Sequence, residues 1–160
     1  MGYLVRVSET RRGRRVSFLL SALGTYAARG FAEAVAGLEL SPGDAGTLRL
    51  LARNPAVSQR DLATRLGIVP SRVVVMIDSL EKRGLVERRR KKTDRRLHEL
   101  HLTKAAQQVL PRIRVAAERA DRQLLAPLDD REQRELIVLL GKLAAGHGLD
   151  PDVHPGHSDD

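Results

Sequence analysis

Residues 58–103 read SQRDLATRLGIVPSRVVVMIDSLEKRGLVERRRKKTDRRLHELHLT. Ser58 with Asp61 three residues on is a capping-box pattern, so a helix starts there. Leu62, Ala63 and Leu66 form its inward face, and Gly67 suits a left-handed C-cap. Pro70 fits the first position of a second helix, expected to run to about Arg83. Val73, Met76, Ile77 and Leu80 recur at helical spacing along it, and Gly84 ends it. Residues 85–88 and 97–102 read as two strands around a Lys92-Thr93-Asp94 turn, and Thr103 caps the next helix. Two short helices at a tight turn followed by a hairpin are the layout of a winged helix-turn-helix, an arrangement suited to reading DNA.

The charge pattern points the same way. The chain has 160 residues, 28 of them Lys or Arg, and a formal net charge of +8. Nine basic residues against two acidic ones fall between Lys82 and Arg96, which puts most of the surplus in one hairpin. A charge run is ordinarily a solvated face. Beside a helix-turn-helix pattern this one is expected to be a phosphate-contacting surface.

Outward from the centre, a helix is expected from Arg14 to Leu38, with Val16, Leu19, Leu20, Leu23, Ala27, Phe31, Ala34, Val35 and Leu38 on one face. Ser41-Pro42-Gly43-Asp44 starts the next helix, which carries Leu48, Leu50, Leu51 and Ala52 and stops before Asn54-Pro55. After Thr103, a long helix reaches about Leu125, with Val109, Ile113, Ala116, Ala117, Ala120 and Leu124 on one side and a kink expected at Pro111. Asp129 or Asp130 caps a last helix lined by Leu136, Leu139, Leu140 and Leu143 and ended by Gly146. The fold class is mainly α with a small β-hairpin wing, a winged helix-turn-helix domain plus a helical dimerisation domain. Residues 1–13 are a flexible arm, 41–102 the reading domain, and 14–40 with 103–146 the dimerisation region. Residues 147–160 form an acidic tail, expected to be disordered. The apolar stripes flanking the small central module need a partner chain to cover them, and a two-fold homodimer does so.

Composition closes off other classes. There is no cysteine, so disulfides, thiolate metal sites and thiol sensing are absent. No signal-peptide core or membrane-length apolar run occurs, so a cytoplasmic, nucleoid-associated protein is expected. Two Tyr, two Phe and no Trp disfavour a stacking platform for single strands. No Ser/His/Asp spacing, phosphate-cradling glycine loop or metalloprotease motif is present, so no enzyme and no cofactor is expected. His98 and His101 lie three apart on a strand and point to opposite faces, so no metal site is expected there.

In order and spacing, SQRDLATRLGIVPSRVVVMIDSLEKRGLVERR, the Asp94-Arg95-Arg96 element, Leu102-Thr103 and LLAPLDDREQRELIVLLGKL resemble the MarR family of bacterial winged-helix regulators, over roughly residues 16–145. The resemblance implies a triangular homodimer on a pseudo-palindromic double-stranded operator. The helix from Pro70 would lie in the major groove and the wing in the minor groove. It also implies repression relieved by a small, often aromatic, ligand bound between dimerisation helices and reading head. Three departures bear on this. Val74 and Val75 stand where relatives often have polar residues. Ala106 replaces a frequent glycine. Lys91-Lys92-Thr93 replaces a frequent Asp and Pro, making the wing more basic.

At the start of the helix from Pro70, Ser71 and Arg72 reach base edges. Arg72 suits either guanine O6 and N7 or a phosphate. Val74 and Val75 either meet thymine methyls or pack inward. Gln59 and Arg60 position the protein on the backbone, and Ser79 and Lys82 contact phosphates. Arg88, Arg89, Arg90, Lys91 and Lys92 make up the basic wing surface, and Arg95 or Arg96 enters the minor groove. Asp94 pairs with a neighbouring arginine and shapes the wing tip. Tyr26, Phe31 and Arg49 are ligand-binding candidates by position. The competing reading is a nonspecific, chromatin-like DNA-binding protein, motivated by the two valines and the dense wing charge.

Overall fold

The computed structural model describes residues 15–90 and 98–149. Eight elements follow in order: α1 (Val16–Ala36), α2 (Pro42–Arg53), α3 (Gln59–Leu66), α4 (Pro70–Lys82), β1 (Val86–Arg90), β2 (His98–Leu102), α5 (Lys104–Leu125) and α6 (Asp130–Gly146). This is the mainly helical winged-helix architecture expected. The expectations for the arm at 1–13, for Lys91, Lys92, Asp94, Arg95 and Arg96, and for the tail from 150 fall outside the described residues.

Local signals set most boundaries. Ser41 and Asp44 form a complete capping box, each backbone N–H donating to the other's side chain at 3.0 Å. Thr103 Oγ1 accepts from Ala106 N–H at 3.2 Å. Asp129 and Glu132 make the box that starts α6. Ser58 makes only half of one. Its Oγ accepts from Asp61 N–H at 3.1 Å, but its hydroxyl, not its backbone N–H, donates to the Asp61 carboxylate at 2.8 Å. Gly67 takes φ +65° and Gly84 φ +67°, the left-handed turns that end α3 and α4 at no Cβ cost.

Two features differ from expectation. β1 extends to Arg90, because its ladder pairs Arg90 with His98. Ala52 faces solvent, because the inward face of α2 is taken by Ala45, Thr47, Leu48, Leu50 and Leu51. α6 ends at Gly146 as expected, and the turn beyond it closes at Gly148, φ +65°. Pro111 lies inside α5, which continues to Leu125.

One core holds the helix-turn-helix and the hairpin together. Leu48, Leu62, Ile77, Leu80, Leu100 and Ile113 are fully enclosed, so α2, α3, α4, the hairpin and α5 share a single interior. Burying each such side chain contributes about 1.5–3 kcal/mol. Val57 adds a bridge to β2, with Leu100 N–H donating to Val57 O at 2.8 Å, which fastens the α2–α3 connection to the hairpin. Along α5 the stripe read from spacing is covered: Val109, Ala116, Ala117, Ala120 and Leu124 are half-buried around the buried Ile113, and Leu110 and Leu125 join them.

Outside that core the chain stays open. Val16, Phe18, Leu19, Leu20 and Leu23 of α1 and Ile137, Val138, Leu139, Leu140 and Leu143 of α6 are all at least 40% exposed. No residue of α6 is buried. α6 is attached through its turn, where Gln133 Nε2 donates to Leu128 O at 3.0 Å. No helix among the described residues is long and apolar enough to cross a membrane.

Candidate nucleic-acid interface

α4 is sharply two-sided. Val73, Ile77 and Leu80 are 0% exposed and lock one face into the core. The opposite face presents Ser71, Arg72, Val74, Val75, Ser79 and Lys82 to solvent. Val74 is 43% and Val75 69% exposed, so neither packs inward and both remain available for apolar contact.

Two contacts fix where α4 points. Thr47, fully buried on α2, donates its hydroxyl to Met76 Sδ at 3.2 Å. Arg83, at the C-cap of α4, donates to the Glu39 carbonyl at 2.5 Å and pairs with Asp44 at 3.4 Å. Glu39 sits in the turn after α1 at φ +57°. Arg83 therefore ties the end of α4 to the corner where α1 meets α2.

α3 carries Arg60 on its open side, as expected for a backbone contact. Gln59 does not sit fully outward. It is half-buried, and its Nε2 is enclosed without a hydrogen-bond partner.

The hairpin stem departs most from expectation. Strand alternation puts Val86, Arg88, Leu100 and Leu102 on the face toward the helices and Glu87, Arg89, Glu99 and His101 on the outer face. Arg88 thus leaves the basic surface. Its guanidinium forks onto Asp78 at 2.5 Å and onto Glu81, and its backbone N–H donates to Glu81 Oε1 at 3.1 Å. Only 20% of its side chain is exposed. On the outer face Arg89 pairs with Glu87, and His101 Nε2 lies 3.6 Å from Glu99. Arg89 also stands opposite Glu99 in the ladder, an arrangement of opposite charges that steadies a hairpin. The stem is close to electrically balanced. Its surplus lies in Arg90 and, by sequence, in the tip residues outside the described region.

Sequence reasoning missed the partners of Arg83 and Arg88. Half of a signal existed: Asp78 and Glu81, three apart, share a helix face and suit a cation, but nothing in the sequence says that Arg88 is the one. Arg83 had no comparable signal, because its main acceptor is a backbone carbonyl.

Tyr26, Phe31 and Arg49 lie in different surroundings. Tyr26 is 59% exposed, Phe31 packs against the core, and Arg49 lies on the open face of α2. The concavity near this region is a groove of about 390 Å³ between α1 and α5, lined by Ala34, Leu38, Pro111, Arg112, Val115, Ala116 and Arg119. Among the described residues no cluster of three or more His, Cys, Asp or Glu is placed to hold a metal ion.

Comparison with known proteins places this architecture. The family model described as "MarR family" matches residues 40–98. A putative transcriptional regulatory protein for the hcr operon of Thauera aromatica is 39% identical over 116 residues, covering 72% of this chain and 70% of the relative. The transcriptional repressor CouR, solved bound to a 23-mer DNA duplex, superposes with a TM-score of 0.72 at 33% identity, covering 81% of this chain and 92% of that one. A Mycobacterium tuberculosis MarR-family protein, solved with p-aminosalicylic acid, superposes with a TM-score of 0.70 at 25% identity, covering 82% and 99%.

Proposed function

The chain belongs to the MarR family of transcriptional regulators, and from that premise we propose that it acts as a homodimeric, sequence-specific DNA-binding repressor released by a small ligand. The observation that carries the reading is the two-sidedness of α4. A helix locked by three fully buried residues and presenting Ser71, Arg72, Val74, Val75, Ser79 and Lys82 outward is a rigid probe of major-groove width. Arg72 suits guanine or phosphate, and the two valines suit thymine methyls. Arg60, Ser79 and Lys82 act on the backbone, with Gln59 supporting them from its half-buried place. Arg90, Lys91 and Lys92 carry the wing's charge, Arg95 or Arg96 enters the minor groove, and Asp94 shapes the tip. CouR bound to a DNA duplex supports this mode of action.

The exposed apolar faces of α1 and α6 support the dimer. In this division of labour residues 41–102 read DNA, while 14–40 and 103–146 pair the subunits. Covering those faces with a second copy removes an apolar surface that isolated soluble monomers seldom carry. A two-fold axis then sets two α4 helices on half-sites about one helical turn apart.

Ligand release is supported by the relative solved with p-aminosalicylic acid and by the groove between α1 and α5, whose apolar floor is flanked by Arg112 and Arg119. The groove is one place for such a ligand, and Tyr26, Phe31 and Arg49 remain candidates by position.

Footprinting on the DNA flanking its own gene, with and without a panel of aromatic acids, tests the proposal. A symmetric protected region that disappears on adding one compound is the expected result. Diffuse protection of all DNA would overturn it in favour of a nonspecific, chromatin-like role.

A further inference from the structure

Arg88 lies in the densest basic run of the chain, yet both terminal nitrogens of its guanidinium engage carboxylates of α4. Its side chain is largely covered, and it faces the helices beside the fully buried Leu100. Glu81 is engaged twice, by the guanidinium and by the Arg88 backbone N–H at 3.1 Å. That backbone contact covers the free edge of β1, where an unpaired strand N–H would otherwise point away from the hairpin. Three hydrogen bonds, two of them from a planar fork, therefore join one residue of the wing to two residues one turn apart on α4. A fork held at both ends resists rotation in a way that a single Lys contact does not.

We propose that Arg88 is a positioning residue that sets the angle between the wing and α4 through Asp78 and Glu81, and that it makes no contact with DNA. The hairpin stem is then a charge-neutral arm. Arg89 is matched by Glu87 and faces Glu99, so the stem adds little attraction of its own, and the cations left for phosphate are Arg90 and, by sequence, those of residues 91–96. Because Arg88 fastens the stem to α4, the direction in which Arg90 leaves the stem depends on α4. The part of this inference that concerns binding preference rests on the DNA-reading proposal above; the mechanical part does not.

Two measurements separate these parts. The chain has no cysteine, so nitroxide labels can be placed at Arg49→Cys and Arg90→Cys without background. The distance distribution between them in the free protein is expected to be narrow. It should broaden in Arg88→Gln and in the double variant Asp78→Asn with Glu81→Gln, and recover only partly in Arg88→Lys. An unchanged distribution in Arg88→Gln overturns the latch whatever the protein binds. Binding to the footprinted duplex and to an unrelated duplex is then titrated with salt. Both the Arg88 and the Asp78/Glu81 variants should lose preference for the footprinted duplex, with the salt slope unchanged. A direct phosphate contact predicts the opposite pattern: Arg88→Gln lowers the slope by about 0.9 per subunit, and removing the two carboxylates tightens binding. Either of those results overturns the proposal. If the unaltered protein shows no preference among duplexes, the DNA-reading proposal fails, and the label distances still decide the latch. Thermal melts of each variant, compared with the parent, identify a variant that has lost its fold, and Arg88→Lys then replaces Arg88→Gln as the deciding one.

Discussion

Replacing Arg83 by Met tests how the reading helix is held to the rest of the molecule. Methionine keeps an apolar stem of similar length and deletes only the guanidinium. The change removes a charge-assisted hydrogen bond to the Glu39 carbonyl at 2.5 Å and an ion pair to Asp44 at 3.4 Å. A hydrogen bond from a charged donor contributes about 1.5–3 kcal/mol when buried. The Arg83 side chain is 31% exposed, so water replaces part of the loss and the lower end applies. The ion pair adds at most about 1 kcal/mol at such exposure. Asp44 keeps its place, because Ser41 N–H still donates to it at 3.0 Å. The total is about 2 kcal/mol, which for a chain of this size lowers Tm by about 4–8 °C. Circular dichroism melts at matched protomer concentration measure it, since the proposed dimer would make Tm concentration-dependent. Arg83→Lys should recover less than half of the loss, because one ammonium cannot span both acceptors. A Tm for Arg83→Met within about 1 °C of the parent would refute the reasoning and leave the corner held by apolar packing alone.

Four further outcomes are expected. Thr103→Val keeps the shape but loses the hydroxyl that donates to Gly84 O at 2.6 Å and accepts from Ala106 N–H, costing about 1–2 kcal/mol in a denaturant titration. Leu139→Glu on α6, at a site 58% exposed in the single chain, should leave the melt of the reading module intact and shift sedimentation toward monomer. Ala56→Gly relieves a left-handed residue at φ +65° and should stabilise by about 0.5 kcal/mol, the strain released less the added freedom of the unfolded chain. Neutralising Lys91 and Lys92 together should reduce the salt slope of DNA binding by about 0.9 for each phosphate they neutralise, read from affinities at several salt concentrations.

Much of the fold was legible because its signals are local. A serine or threonine three residues before the N–H it caps, a proline at a helix start and a glycine at φ near +65° work within one turn. Spacing along α4 and α5 picked out Ile77, Leu80 and Ile113, since a helical face buries the same residues whatever covers it. The candidate interface was legible in part for the same reason. Positions between the buried residues of α4 must point out, and Ser71, Arg72, Ser79 and Lys82 do. Val74 and Val75 were undecided because hydrophobicity alone does not separate a core residue from a contact surface; the exposures of 43% and 69% settle their direction.

What required the tertiary structure is pairing between distant residues. In sequence Arg88 is one cation in a run of five, indistinguishable from Arg89 or Arg90. Only the packing of β1 against α4 turns it toward Asp78 and Glu81, ten and seven residues away, and takes its charge out of the surface. Arg83 reaches a carbonyl 44 residues away. The bridge from Val57 to Leu100 and the groove between α1 and α5 likewise exist only once the chain has closed on itself. By itself the sequence determined the helices, their caps, their inward faces and the winged helix-turn-helix order, because those follow from backbone hydrogen bonding and the 3.6-residue period. Tertiary structure alone decided which charges stay free, because a charge's partner is set by which elements meet in space.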